Sequence, residues 1–270
     1  MAIAPLSPVV ASMPASAETS IDSVGAYLRE HAPAPMERLK AVHDWVADRV
    51  AYDGPAATGP TPPDDAEPAG VFAGRKAVCE GYARLLAAIG RAADLDVEYV
   101  LGVARLGDGT LALHAWNEAR VDGRRVPIDV TWDSGTVDAA RVFHKAYSTR
   151  YLFAAPAAFE SDHRSLAQVA ASLRMGCDAR TADLCLQVAQ IYDTGAVVPG
   201  DTELAASVYR AACDAGRPEG CNNAGAMYAL GRGVPQDFVR AQALFRSACD
   251  GGEAAGCTNL DLVSMVVPNG

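Results

Sequence analysis

A thiol, an imidazole and a carboxylate occur in this order along the 270-residue chain: Cys79 in VCEGYA (residues 78–83), His114 in LHAWNEA (113–119) and Asp129 in IDVTWD (128–133). These three residue types are the components of nucleophilic acyl transfer. A thiolate attacks a carbonyl carbon, an imidazole moves the proton, and a carboxylate fixes the ring's tautomer and stabilises its charged form. Taken singly, each has a commoner use as an inert buried thiol, a half-buried strand histidine or a solvated acid. Their conjunction is what points to catalysis. Asp133 is a rival acid, but the spacing along a strand would carry it past the site.

Three elements must bring the residues together. Tyr82, Leu85, Leu86 and Ile89 follow the i, i+3, i+4, i+7 pattern of an amphipathic helix that starts near Cys79. A thiol at that end meets unpaired N–H groups and the positive end of the helix dipole, which favour the thiolate. The backbone N–H of Cys79 is also placed to serve an oxyanion hole. Residues 97–103, 111–121 and 125–130 read as strands joined by turns at Asp108-Gly109 and Asp122-Gly123, which puts His114 and Asp129 on neighbouring strands. Helix against antiparallel sheet is an α+β arrangement. Upstream, residues 20–52 read as two helices broken at Ala32 to Pro35, the second carrying Leu39, Val42, Val46 and Val50 on one stripe beside Trp45. Residues 54–70 read as a loop and 161–175 as a connecting helix or linker.

The other six cysteines obey a repeat. Cys177 and Cys185, Cys213 and Cys221, and Cys249 and Cys257 each span eight residues, and the pairs recur every 36. Tyr192, Gly195, Val198-Pro199, Asp201 and Tyr209 match Tyr228, Gly231, Val234-Pro235, Asp237 and Phe245 in the same register. Each unit reads as helix, Gly-rich turn, Asp N-cap and helix, an α-solenoid pattern. Six cysteines allow fifteen pairings, and the internal repeat favours the three local bridges. A metal site competes poorly, because the cysteine spacing is too wide for a knuckle and the repeat holds no histidine.

The formal charge of −10 argues against binding a polyanion, so neither nucleic acid nor an anionic membrane surface is an expected partner. No apolar run reaches the roughly 20 residues of a membrane-spanning helix. Residues 1–19 are small and apolar and contain Ala15-Ser16-Ala17, so they read as a signal remnant or a disordered N-terminus. With the paired cysteines, this points to an extracytoplasmic location, periplasmic or secreted.

VCEGYA, HAWN and IDVTWD resemble the transglutaminase-like family, whose fold is related to papain-like cysteine proteases; HDWVADRVAYD and LFAAPAAFESDH extend the resemblance over residues 37–162. The resemblance implies Cys79 as nucleophile, His114 as base and Asp129 as acid, with Tyr82, Trp116 and Trp132 as substrate-binding candidates. His43 is then structural, and His163 falls at a non-catalytic position of the last segment. The family's calcium-binding loops have no counterpart, so no metal and no other cofactor is expected. One departure is at residues 124–127, where an aromatic is more usual, and it bears on pocket shape. Residues 177–262 are similar to cysteine-rich Sel-like repeats, relatives of the tetratricopeptide repeats, which implies a surface for a protein partner. The expected domains are 1–19, a catalytic domain at 20–162, a linker helix at 163–176 and repeats at 177–270. The expected function is a protease or amidase acting on protein or peptide substrates, in preference to a crosslinking enzyme. A non-catalytic scaffold is the alternative.

Overall fold

A computed structural model of the chain describes residues 5–56, 66–107, 109–138, 140–173, 176–195 and 199–266. Asp108 of the first expected turn, residues 57–65 of the expected loop, residues 174–175 of the connecting segment and Val198 of the repeat register lie outside them. The chain divides into two compact units, one built from Met1–Gly102 and His114–His163, the other from Val103–Leu113 and Arg164–Gly270.

In the first unit the helices are α1 (Pro8–Ala11), α2 (Ile21–His31), α3 (Pro35–Arg49), α4 (Pro68–Gly74), α5 (Cys79–Ala92), α6 (Val130–Ser134) and α7 (Pro156–Glu160). The strands are β1 (Ala51–Tyr52), β2 (Lys76–Ala77), β3 (Asp96–Arg105), β4 (Leu111–Val121), β5 (Arg124–Ile128), β6 (Gly135–Val137), β7 (Phe143–Lys145) and β8 (His163–Ser165), of which residues 103–105, 111–113 and 164–165 belong to the second unit. Ser20 starts α2 with a reciprocal capping box: its Oγ accepts from Ser23 N, and Ser23 Oγ accepts from Ser20 N. The stripe Leu39, Val42, Val46 and Val50 is fully buried, as are Tyr82, Leu85, Leu86 and Ile89 on α5. Burying an aliphatic side chain of this size contributes roughly 1.5–3 kcal/mol. Gly25 lets α2 approach α5, since a Cβ there would lie 2.5 Å from the Ala92 Cβ.

The four-stranded sheet has the order β5-β4-β3-β8, and β4 pairs antiparallel with β5 from Asn117↔Ile128 to Val121↔Arg124. Asp122 (φ 52°) and Gly123 (φ 72°) close that hairpin, both in the left-handed region that a two-residue type I′ turn requires. Val97, Ala119, Val121 and Ile128 from the sheet share one core with α3 and α5. Asn117 ties β4 to α5 by donating from Nδ2 to Ala83 O at 2.8 Å.

Several boundaries differ from the sequence reading. β5 stops at Ile128, and Asp129 is the N-cap of α6, with Oδ1 accepting from Trp132 N at 3.1 Å; the carboxylate that was expected on a strand instead ends one and starts a helix. Residues 68–70 begin α4, because Pro68 is pre-set for the first helical turn. Residues 5–17 are not a loose tail: Val10 and Met13 bury themselves in the main core, and Ser7 N donates to Asp44 Oδ2 at 2.6 Å. His163 opens a strand rather than a linker helix.

The second unit contains α8 (Leu166–Leu173), α9 (Ala182–Thr194), α10 (Thr202–Asp214), α11 (Pro218–Leu230), α12 (Phe238–Asp250) and α13 (Ala254–Ser264). Asp201 and Asp237 cap α10 and α12, and Gly195 and Gly231 end α9 and α11 in the left-handed conformation. The bridges are Cys177–Cys185, Cys213–Cys221 and Cys249–Cys257. In the last two the Cα atoms are 4.5 Å apart. Gly220 and Gly256 permit this approach, since a Cβ there would lie within 2.9 Å of the facing Ala212 or Ala248 Cβ. The first pair has Leu184 at that position and a Cα separation of 6.6 Å.

Candidate active site

Cys79 is the first residue of α5, partly exposed, and is the free cysteine among the described residues. His114 lies on β4 at 6% exposure, and Asp129 is fully buried at the N-cap of α6. Nε2 of His114 donates to Asp129 Oδ2 at 2.7 Å. The Cys79 side chain adds to the same ring's preference for its protonated form. Burial alone would lower the His114 pKa, but Asp129 and Cys79 outweigh it and push the ring up to about 10. Burial likewise opposes ionisation of Asp129. The hydrogen bonds and charges of His114 and His163 overcome it and hold the carboxyl well below its ordinary range. At neutral pH the pair is therefore an imidazolium against a carboxylate.

A second histidine reaches the same oxygen. His163, 1% exposed, donates from Nε2 to Asp129 Oδ2 at 3.0 Å. Ionised Asp129 can only accept, so both facing ring nitrogens must carry hydrogen. The resemblance places His163 at a non-catalytic position of the LFAAPAAFESDH segment, and its contact with Asp129, 34 residues away, is visible only in the structure.

The three aromatic candidates are placed differently. Trp132 is partly exposed and lies against the His114 ring, with centroids 5.0 Å apart and planes at 28°. Trp116 is 3% exposed and packs with Tyr151 and Phe159. Tyr82 is fully buried in the main core and its hydroxyl donates to Val50 O at 2.8 Å, so it faces protein and not solvent. Burial, with Cys79 among the neighbouring charges, raises the pKa of Tyr52, and burial, Glu80 and Cys79 raise that of Tyr99.

Asp133 turns away from this group because it lies on a helix. It meets His43, whose Nε2 lies 3.2 Å from Asp133 Oδ2 and whose Nδ1 lies 2.9 Å from Asp44 Oδ1, all three side chains being fully buried. Burial lowers the His43 pKa, and the two carboxylates more than reverse that. Asp133 also accepts from the Ser148 hydroxyl and Tyr151 N; Asp44 accepts from Lys40 and, at 2.7 Å, from the Tyr147 hydroxyl. The network anchors α6 from behind, and α6 begins at Asp129.

The ligand atoms of His114, Asp129 and His163 lie within 4.8 Å of one another, a grouping with the right donors for a metal ion. A metal-bound imidazole usually donates from its second nitrogen, whereas Nδ1 of His163 is buried with no partner among the described residues. Two N–H donors on one carboxylate oxygen account for the grouping, and the residues do not fit a metal.

Residues 22–130 match the family model of the transglutaminase-like superfamily, and residues 182–216 and 218–253 match the Sel1 repeat. Kyphoscoliosis peptidase of Homo sapiens is 30% identical over 156 residues, covering 55% of this chain and 23% of the relative. The Mus musculus protein is 31% identical over 144 residues, covering 50% and 22%. The chain thus spans less than a quarter of the length of these curated relatives. Among solved structures, a candidate cysteine protease from Cytophaga hutchinsonii is 20% identical with a TM-score of 0.33, covering 59% of this chain and 50% of that one. A TGase is 19% identical with a TM-score of 0.34, covering 52% and 38%.

Proposed function

We propose, from the premise that this chain joins a transglutaminase-like domain to Sel1 repeats, that it is a cysteine-dependent hydrolase of amide or peptide bonds. The observation that carries the reading is the buried hydrogen bond of the His114 imidazole to the Asp129 carboxylate, on a ring whose pKa the free thiol of Cys79 also raises. Sγ of Cys79 attacks the carbonyl carbon. The tetrahedral intermediate collapses with cleavage of the C–N bond, and the imidazolium of His114 gives its proton to the departing amine. Neutral His114 then takes a proton from water as the hydroxyl adds to the thioester, and the acid and the thiol are released. Asp129 keeps the ring in register throughout, and Trp132 offers a partly exposed wall beside it. An amine in place of water would give transamidation. Hydrolysis is favoured because the relatives matched over half of this chain are named as peptidases.

The catalytic region is proposed to span residues 20–163, so that it includes His163, and residues 177–270 to bind a protein partner. Three disulfides fit an oxidising compartment, and a periplasmic or secreted location follows as part of the proposal. No helix among the described residues is long and apolar enough to cross a membrane.

Alkylation by iodoacetamide at mildly acidic pH, without reductant, tests the reading. Cys79 should label at least tenfold faster than a free thiol. Labelling at the rate of an ordinary thiol would favour a scaffold in which the repeats alone act.

A further inference from the structure

Asp129 receives more support than a two-residue couple needs. Its Oδ1 is fixed by the N–H of Trp132, and its Oδ2 takes His114 at 2.7 Å and His163 at 3.0 Å. The His163 ring is itself immobilised. It stacks on Phe159 with centroids 4.1 Å apart and planes at 25°, and Trp132, Trp116 and Tyr151 surround it at 4.7, 5.2 and 5.4 Å. Aromatic rings held at these separations pack favourably and restrict one another's rotation. A buried polar group ordinarily satisfies all of its hydrogen-bonding atoms. In His163 only Nε2 has a partner among the described residues, while Nδ1 is buried without one there. A residue kept for packing alone would be better served by phenylalanine, which leaves no orphaned nitrogen. What histidine adds here is one N–H, aimed at the oxygen that His114 uses.

We propose that His163 is a positioning residue: from a rigid aromatic box it holds Oδ2 of Asp129 in line with Nε2 of His114, and it acts on the thiol only through that couple. This rests on the acyl-transfer reading of Cys79, His114 and Asp129. With two donors on Oδ2 and one on Oδ1, the carboxylate has no freedom to rotate out of the His114 plane. Without the second donor it can turn, and the imidazolium loses part of its partner. The charged or titratable groups facing His114 are Cys79 from α5, Asp129 at the start of α6 and His163 from β8.

The test follows the His114 ring by NMR titration in the full chain, together with iodoacetamide alkylation of Cys79. The variants are His163→Phe, His163→Met and His163→Gln. Phe and Met both lack the donor, and the more adaptable Met fits the box if Phe does not fold. Gln can present an amide N–H near the position of Nε2. In the donor-free variants His114 should titrate about one unit lower than in the wild type, a tenfold change in its equilibrium, and alkylation near pH 6 should slow about tenfold. His163→Gln should recover most of both. A purely structural role would lower thermal stability without moving the titration and would gain nothing from Gln. Folded donor-free variants with an unchanged His114 titration would overturn the inference. If wild-type Cys79 alkylates like a free thiol while the His114 titration still depends on the donor at 163, the catalytic reading fails and the positioning role stands.

Discussion

The proton on His114 sets how this site should respond to change at single residues. Replacing Cys79 with Ala removes the proposed nucleophile and should abolish turnover of any peptide substrate, while leaving the unfolding midpoint close to that of the wild type, since the side chain is partly exposed. The same variant should retain a bound substrate in a pull-down. The His114 pKa is raised from 6.5 to about 10, so its contribution to stability is fully present below pH 6.5 and is lost as pH rises through 10. Asp129 has a lowered pKa, so its contribution is present above 3.8 and is lost as pH falls below that value. Urea unfolding of His114→Gln against wild type should therefore show its largest difference between pH 3.8 and 6.5, shrinking steadily towards pH 10. A difference that grows with pH would contradict the imidazolium assignment. Cys79, His114 and Asp129 were legible in the sequence because each lies in a short segment with a recognisable neighbourhood. The role of His163 was not, because the segment that contains it carries no sign of a partner 34 residues away.

Helix α6 is the element on which the site turns. It is only five residues long, too short to be stable by itself, and it is pinned at both ends: Asp129 caps its start, and Asp133 near its end meets the buried His43. Removing one partner of a buried charged network leaves the others uncompensated and typically costs about 3–5 kcal/mol. Asp133→Asn or His43→Leu should destabilise the fold by about that amount in urea titration, and should also slow Cys79 alkylation because the cap moves with the helix. Alkylation unchanged in a destabilised but folded His43→Leu protein would show that the network holds the fold and not the site. The sequence made Asp133 look like a strand residue beyond the site, since IDVTWD has apolar residues at alternate positions, a strand-like pattern. A carboxylate accepting the Trp132 N–H turned that stretch into a helix, and only the resulting turn separated the roles of two acids four residues apart.

For the whole molecule, the sequence divides the cysteine chemistry and the structure keeps it divided. Three bridges staple neighbouring segments of the repeat unit, while Cys79 stays free on α5. Closing an eight-residue loop should stabilise each repeat by roughly 2–3 kcal/mol in the chain-entropy account. A Cys213→Ala, Cys221→Ala protein should lose about that much in the unfolding transition of the repeats while its Cys79 alkylation rate stays at the wild-type value. Loss of alkylation in that protein would mean that the thiol depends on the staples. Gly256→Leu should push the last pair towards the wider Cα separation of 6.6 Å seen where Leu184 stands at the equivalent position, and lower the unfolding midpoint of the repeats with the bridge still closed, because a side chain there meets Ala248.

Periodicity and local motif predicted the helices α2, α3 and α5 and those of the repeats, the hairpin turn at Asp122-Gly123 and the pairing of the repeat cysteines, because each depends on residues close together along the chain or repeated at a fixed interval. The packing of Val10 and Met13 into the core, the second donor on Asp129, the withdrawal of Tyr82 into the core and the anchoring of α6 by His43 were decided by the tertiary structure. Each of these joins groups far apart in sequence. Their interaction exists only once the intervening chain has folded and excluded water, and pattern along the chain carries no record of that.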